Sequence, residues 1–153
     1  MNVRLLVVAI FFTLLSSFNV KAQDTDAITN IDSMWLEHNV RYGNMNGMMV
    51  HLSFSIENMK GRTVQVCAYF YDSNEVQVRA SYNVPMQYRT RDGMLCSGSQ
   101  AYVKYESTSW DDYKLFFPYG FLRAGDYICV VGISSNRGVG LAISDPESFS
   151  VGY

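Results

Sequence analysis

His51 and Cys67 are the pair in this sequence best suited to nucleophilic chemistry. A thiolate beside an imidazole is a competent nucleophile, and both residues lie on the polar parity of alternating segments. Adjacent strands routinely place such side chains together without chemistry, so this pair is the minor expectation. His38 falls on the apolar parity of its segment and reads as a core or rim histidine satisfied by a backbone group. No Gly-x-Ser-x-Gly elbow, His-Glu-x-x-His helix or phosphate-cradling glycine loop occurs. No catalytic residue is therefore assigned, and a non-catalytic protein is expected. The alternative is a small secreted enzyme, or an enzyme inhibitor, using Cys67 and His51 or the acids of the loops.

Those acids are Asp72, Glu75, Asp92, Asp111, Asp112, Asp126, Asp145 and Glu147. Calcium takes about six to eight oxygen ligands, often from carboxylates on neighbouring loops. Asp is also the expected β-turn residue, because its side chain bonds the local backbone, and no dense Asp-x-Asp loop is present. The turn role is favoured. Cys67, Cys96 and Cys129 lie too far from one another and from either histidine for a standard zinc pattern. Neither a metal nor a cofactor is expected. At most one disulfide can form among the three thiols.

Aromatic residues are the one unusual excess, with 11 tyrosines and two tryptophans. Aromatic side chains anchor protein partners and sugars alike, although tyrosine is also a strong strand former. Tyr69 and Tyr71 project opposite Val66, Ala68 and Phe70, and Trp110 sits beside Asp111 and Asp112 in an apparent turn. These three are the candidate contact surface for a protein or glycan of the cell envelope.

The elements that must position them are strands. From Gly47 to Glu57, Met48, Val50, Leu52, Phe54 and Ile56 share one face, and Met49, His51, Ser53 and Ser55 the other. This period of two marks a half-buried strand. Asn58 to Gly61 then reads as a turn, and Val64, Val66, Ala68 and Phe70 resume the pattern, so the two segments predict a hairpin. Shorter strands are expected at Met34–Val40, Val76–Tyr82, Ala101–Tyr105, Tyr113–Phe117, Leu141–Ile143 and Phe149–Val151. Gly125–Ser134 is apolar on both parities and predicts a central strand covered on both faces. Eight or nine short strands with Asn, Asp and Gly between them predict an all-β fold. Its form is a two-sheet antiparallel β-sandwich, C2-like or immunoglobulin-like, with a closed barrel as the alternative.

Four blocks in sequence order strengthen this reading. They are Trp35, Glu37, His38, Asn39 and Val40; Gly47, Met48, Val50, His51 and Phe54; Ala68 to Asp72; and Trp110, Asp112, Tyr113 and Leu115 to Tyr119. Together they resemble a secreted bacterial β-sandwich module, related segments of which occur alone or attached to peptidase-like or repeat-containing chains. The resemblance covers residues 34–133 and implies an accessory or interaction domain with a C2-like strand arrangement and no assigned catalytic residue. Tyr113 stands where that pattern leads one to expect Phe.

The ends of the chain predict export. Arg4 precedes an apolar run from Leu5 to Phe18, and Val20 and Ala22 supply the small residues that a signal peptidase reads. The run is shorter than the roughly 20 residues of a membrane span. Residues 1–22 are thus expected to be a signal peptide, 23–32 a flexible lead-in and 33–153 the sandwich, with no membrane span after cleavage. Cleavage removes Arg4 and Lys21 and no acid, leaving 131 residues with 10 basic and 14 acidic side chains, a net charge of −4. A nucleic-acid surface needs clustered Lys and Arg, so that class is excluded. The expected location is periplasmic or extracellular. Mass spectrometry of the exported protein should find Gln23 at its N-terminus; an intact N-terminus retained in the membrane would refute the assignment.

Overall fold

The computed structural model describes residues 26–152. The expected signal peptide, its cleavage point and the first residues of the lead-in lie outside the described residues. Within them, eight strands are formed: β1 (Ile28–Tyr42), β2 (Met45–Glu57), β3 (Thr63–Asp72), β4 (Cys96–Tyr102), β5 (Ser107–Pro118), β6 (Gly125–Ser135), β7 (Gly140–Ile143) and β8 (Glu147–Val151). Two single-turn 3-10 helices, Met86–Tyr88 and Tyr119–Phe121, complete the elements. No helix among the described residues is long and apolar enough to cross a membrane.

The strands make two antiparallel sheets packed as a sandwich. One has the order β1-β2-β5. The other has the order β4-β3-β6, with β7 and β8 sharing the far edge of β6, β7 opposite Gly132–Ser134 and β8 opposite Gly125–Cys129. Alternation explains the core. Met48, Val50, Leu52, Phe54 and Ile56 of β2 are fully buried, as are Val64, Val66, Ala68 and Phe70 of β3. Phe70 meets Phe117 of β5 across the gap, ring centroids 4.0 Å apart. Cys129, Val131 and Ile133 of β6 face the same core, and Val130 is buried on the opposite face, as the double-sided apolar pattern predicts.

Four expectations need correction, one being that the strand expected at Ala101–Tyr105 is β4, Cys96–Tyr102, which leaves Val103–Tyr105 outside any strand. β2 and β3 are not a hairpin: β2 pairs with β1 and β5, whereas β3 pairs with β4 and β6. The chain crosses between sheets at Asn58–Arg62, where Met59 is buried and Gly61 N–H bonds the Val103 carbonyl. Two strands with apolar faces can pair edge to edge or stack face to face, and the alternation is the same in both. Val76–Tyr82 forms no strand. It belongs to a long connection tied down by the isolated bridges Tyr71↔Gln77 and Arg79↔Met94, with Val84, Tyr88 and Leu95 plugged into the core. The flexible lead-in is shorter than expected, because β1 begins at Ile28 and pairs at once with Glu57.

β1 has 15 residues against the 13 of β2. The two extra residues sit at register shifts between Ile31 and Ser33 and between His38 and Val40, β-bulges at Asp32 and Asn39. Asn39 adopts φ +60°, a left-handed conformation that Asn tolerates better than most side chains. A third shift lies in the β2–β5 ladder, where Leu52 opposes Tyr113 but Phe54 opposes Trp110. Three steps on β5 thus match two on β2. The bulge at Asp111–Asp112 turns both Trp110 and Tyr113 toward Phe54, at 4.5 Å (stacked) and 5.6 Å (edge-on).

Phe54 is fully buried beneath these two rings. Phe54→Ala should lower stability by about 3–5 kcal/mol, the usual cost of the cavity left by a large ring. A lower urea midpoint with an unchanged slope checks this.

Candidate functional site

The candidate residues do not converge. Tyr71 is only 6% exposed and packs with Val130 in a small cluster on the outer side of the second sheet, bordered by Tyr69, Ile128 and Ile143. Burial pushes its hydroxyl pKa up to about 12. Tyr69 is half-buried beside it and hydrogen-bonded to Cys67; burial, then the neighbouring thiols, raise its pKa. Trp110 lies in the other sheet, within β5 and stacked on Phe54. It is a core-edge residue, not a ring at a turn. Two adjacent acids suggest a turn in sequence, and a β-bulge supplies the same signature. Trp110 therefore shares no surface with Tyr69 and Tyr71, and Tyr71 is too buried to act as an anchor.

His51 and Cys67 do not meet. His51 is on the outer face of the β1-β2-β5 sheet and Cys67 on the outer face of the other sheet, with the core between. All three cysteines are free. Burial raises each thiol pKa, Cys96 to about 12, with a smaller opposing effect at Cys67 from the Tyr69 hydroxyl. A thiol held protonated is a poor nucleophile. Among the described residues no group of three or more His, Cys, Asp or Glu side chains is disposed to hold a metal. Asp72 accepts N–H bonds from Asn74 and Val76 at 2.8 and 3.0 Å, the role expected in a turn.

The residues that do converge lie on the outer face of β1-β2-β5. His51 sits in the central strand, opposite Trp35 of β1 and Lys114 of β5. Its Nδ1 is 2.6 Å from Asp112 Oδ1, and its Nε2 is 3.0 Å from Glu37 Oε2. Lys114 Nζ lies 3.1 Å from the other Asp112 oxygen. The Trp35 indole covers the imidazole, centroids 4.8 Å apart and planes within 13°. That lid leaves the His51 side chain 7% exposed, against 60% for Glu37 and 42% for Asp112. Trp35 itself is 42% exposed.

Ionised carboxylates only accept hydrogen bonds, so both contacts are made together when both ring nitrogens carry protons. With each nitrogen facing a carboxylate, none is left to take a proton from a substrate. The geometry instead fixes a ring: His51 is held from two sides and supports Trp35 from below. Along the same face, Glu37 opposes Met49 and Met49 opposes Phe116, whose ring meets that of Tyr42 at 5.2 Å. Gly47 permits this, because a Cβ there would collide with the Phe117 carbonyl and approach Phe116 Cζ to 2.9 Å.

Trp35, Glu37 and Asp112 escape sequence reasoning as a group. Trp35 and Glu37 share a parity on β1, and His51 lies on the polar parity of β2. The register that aligns Trp35 and Glu37 with His51 is set within the β1–β2 hairpin, closed by Gly43 and Asn44, whereas the pairing of β5 with β2 that brings in Asp112 is long-range.

No protein-family profile and no curated protein matches the sequence. Among solved structures, the chain is similar to the X-ray structure of Northeast Structural Genomics Consortium target SoR45, at 12% identity, a TM-score of 0.26, and coverage of 85% of this chain and 90% of that one.

Asp112 provides a direct check on the cluster. The hydrogen bond from His51 holds its carboxyl pKa below the ordinary Asp value, desolvation opposes, and Lys114 adds to the lowering. Its contribution to stability is accordingly present above about pH 3.9 and is lost as pH falls through the lowered value of the folded state. His51→Phe keeps a stacked ring but removes both donors. Carboxyl NMR should then show Asp112 titrating at higher pH than in the unsubstituted protein; an unmoved titration would mean that His51 does not hold it.

Proposed function

We propose that this chain is an exported, non-catalytic interaction module that docks a protein of the cell envelope through the outer face of β1-β2-β5. The carrying observation is the Trp35 indole, exposed on its outer side and pinned from beneath by His51, which Glu37 and Asp112 hold in turn. A ring already fixed in place loses little freedom on binding, and preorganisation of this kind raises affinity. The surrounding strip has the make-up of a protein interface. Trp35, Tyr42, Phe116 and Met49 supply aromatic and thioether surface, and Glu37, Asp112 and Lys114 supply charge around them. A broad sheet face also suits a protein better than a small ligand, which needs a concave site.

Export rests on the sequence of residues 1–22, and the accessory role is the one that the resemblance to secreted bacterial modules implies. The non-catalytic reading is supported by an imidazole with both nitrogens engaged and by thiols that burial keeps protonated.

The test is capture. Immobilised mature protein is exposed to envelope extract, captured proteins are identified by crosslinking and mass spectrometry, and affinity for the purified partner is then measured. An anchoring aromatic commonly contributes about 2 kcal/mol or more, so Trp35→Ala should weaken that complex by about thirtyfold. Tyr82→Ala, at a ring 94% exposed in the long connection, should leave it unchanged. Undiminished capture by folded Trp35→Ala protein, or retention of glycans alone, would overturn the proposal.

A further inference from the structure

A concave feature lies apart from the docking face, at the end of the sandwich where β1, the start of β2, the Tyr119–Phe121 turn and the end of β8 meet. It is a cavity of about 480 Å³ lined by His38, Asn39, Asn46, Tyr119 and the Ser150–Gly152 strand end. This volume lies within the range of small-molecule sites, about 300–1,000 Å³. His38 has the inward parity of β1, whereas Trp35 and Glu37 have the outward parity, so the two sites share no lining residue.

Local structure aims polar groups into this space. The bulge at Asn39, with its left-handed backbone, breaks the regular ladder beside His38; bulges often re-aim side chains next to binding sites. The Asn39 backbone hydrogen-bonds Tyr119, partly offsetting the rise in its hydroxyl pKa that burial causes. The same hydroxyl lies 2.6 Å from His38 Nδ1, and the two rings are within 14° of parallel. In the tautomer whose Nδ1 accepts from the Tyr119 hydroxyl, the ring proton resides on Nε2, and that N–H is left for a ligand. The Asn39 and Asn46 side chains are exposed at this lining. Ser150 donates its hydroxyl hydrogen to Asp126 at 2.6 Å and keeps an oxygen that can accept.

The chemistry of this lining selects a ligand class. It contains no Asp, Glu, Lys or Arg, so nothing compensates the desolvation of an ion. Each carboxamide presents a donor and an acceptor side by side, a match for hydroxyls on neighbouring ring carbons, each of which both gives and takes a hydrogen bond. The near-parallel His38 and Tyr119 rings belong to the same lining, and an aromatic ring can pack against the less polar face of such a ring. We propose that this cavity binds a neutral saccharide residue, with Asn39 and Asn46 hydrogen-bonding its hydroxyls and His38, fixed by Tyr119, donating from Nε2.

The experiment is a ¹H–¹⁵N NMR titration of the mature protein with glucose, galactose, mannose and N-acetylglucosamine, and with glucuronate as the anionic counterpart. At least one neutral sugar should give saturable shifts centred on Asn39, Asn46, Tyr119 and Ser150–Gly152. Asn46→Ala, a truncation at an exposed side chain, should weaken that binding at least tenfold. Tyr119→Phe, which keeps the ring, should weaken it severalfold. Trp35→Ala should leave it unchanged, and the cavity variants should leave envelope-protein capture unchanged, so each proposal can fail alone. No saturable shift with any neutral sugar, shifts centred elsewhere, undiminished affinity in folded Asn46→Ala protein, or glucuronate binding as tightly as glucose would each overturn the assignment.

Discussion

Phe70 of β3 and Phe117 of β5 meet across the space between the sheets, and the other placements follow from that contact. With the rings 4.0 Å apart, the apolar face of β2 and β5 must lie against that of β3 and β6, so the opposite faces look outward. Phe149 and Tyr88 close on the same pair from the side, edge-on to Phe70 and Phe117 respectively. His51 is on the outside because its neighbours Val50 and Leu52 are inside. The bulge at Asp111–Asp112 serves the same core: it brings both Trp110 and Tyr113 over Phe54 and leaves Asp112 outside, within reach of His51. The polar cluster on the surface thus results from how rings are packed beneath it.

Much of this was legible in the sequence, and the failures have physical causes. Strict alternation from Met48 to Ile56 identifies β2, and double-sided apolarity identifies β6 as central, because burial acts residue by residue along a strand. Partnership does not act that way. The five residues from Asn58 to Arg62 join two sheets here, but a hairpin would have the same look, and only the tertiary fold decides. Tyr71 shows the limit of parity as a guide to exposure: it points away from the main core, as its position implies, yet Val130 and its neighbours bury it. Trp35 and Glu37 share the parity of β1 opposite to that of His38. Their meeting with His51 follows from the β1–β2 hairpin register, but the arrival of Asp112 depends on β5, which is distant in sequence.

The molecule contains several groups that would be reactive in other surroundings, and each is restrained by its neighbours. Cys129 is sealed in the core and Cys96 is buried. Cys67 shares a hydrogen bond with Tyr69 and lies over Gly98, where a Cβ would come within 2.6 Å of its sulfur. His51 is bonded at both nitrogens. What remains open is a fixed indole on one side and, at one end, a small polar cavity whose shape depends on a bulge.

The extra residues in β1 also bear on how copies of this protein treat one another. β1 ends its sheet, and a strand left unpaired on one side offers its amides and carbonyls to any passing chain. At Asp32 and Asn39 those groups fall out of step, so a foreign strand laid alongside would find only short stretches in phase between two interruptions. Lateral addition of a strand along this edge is thereby discouraged without a covering helix, and β5, the sheet's other edge, carries a bulge of its own at Asp111–Asp112.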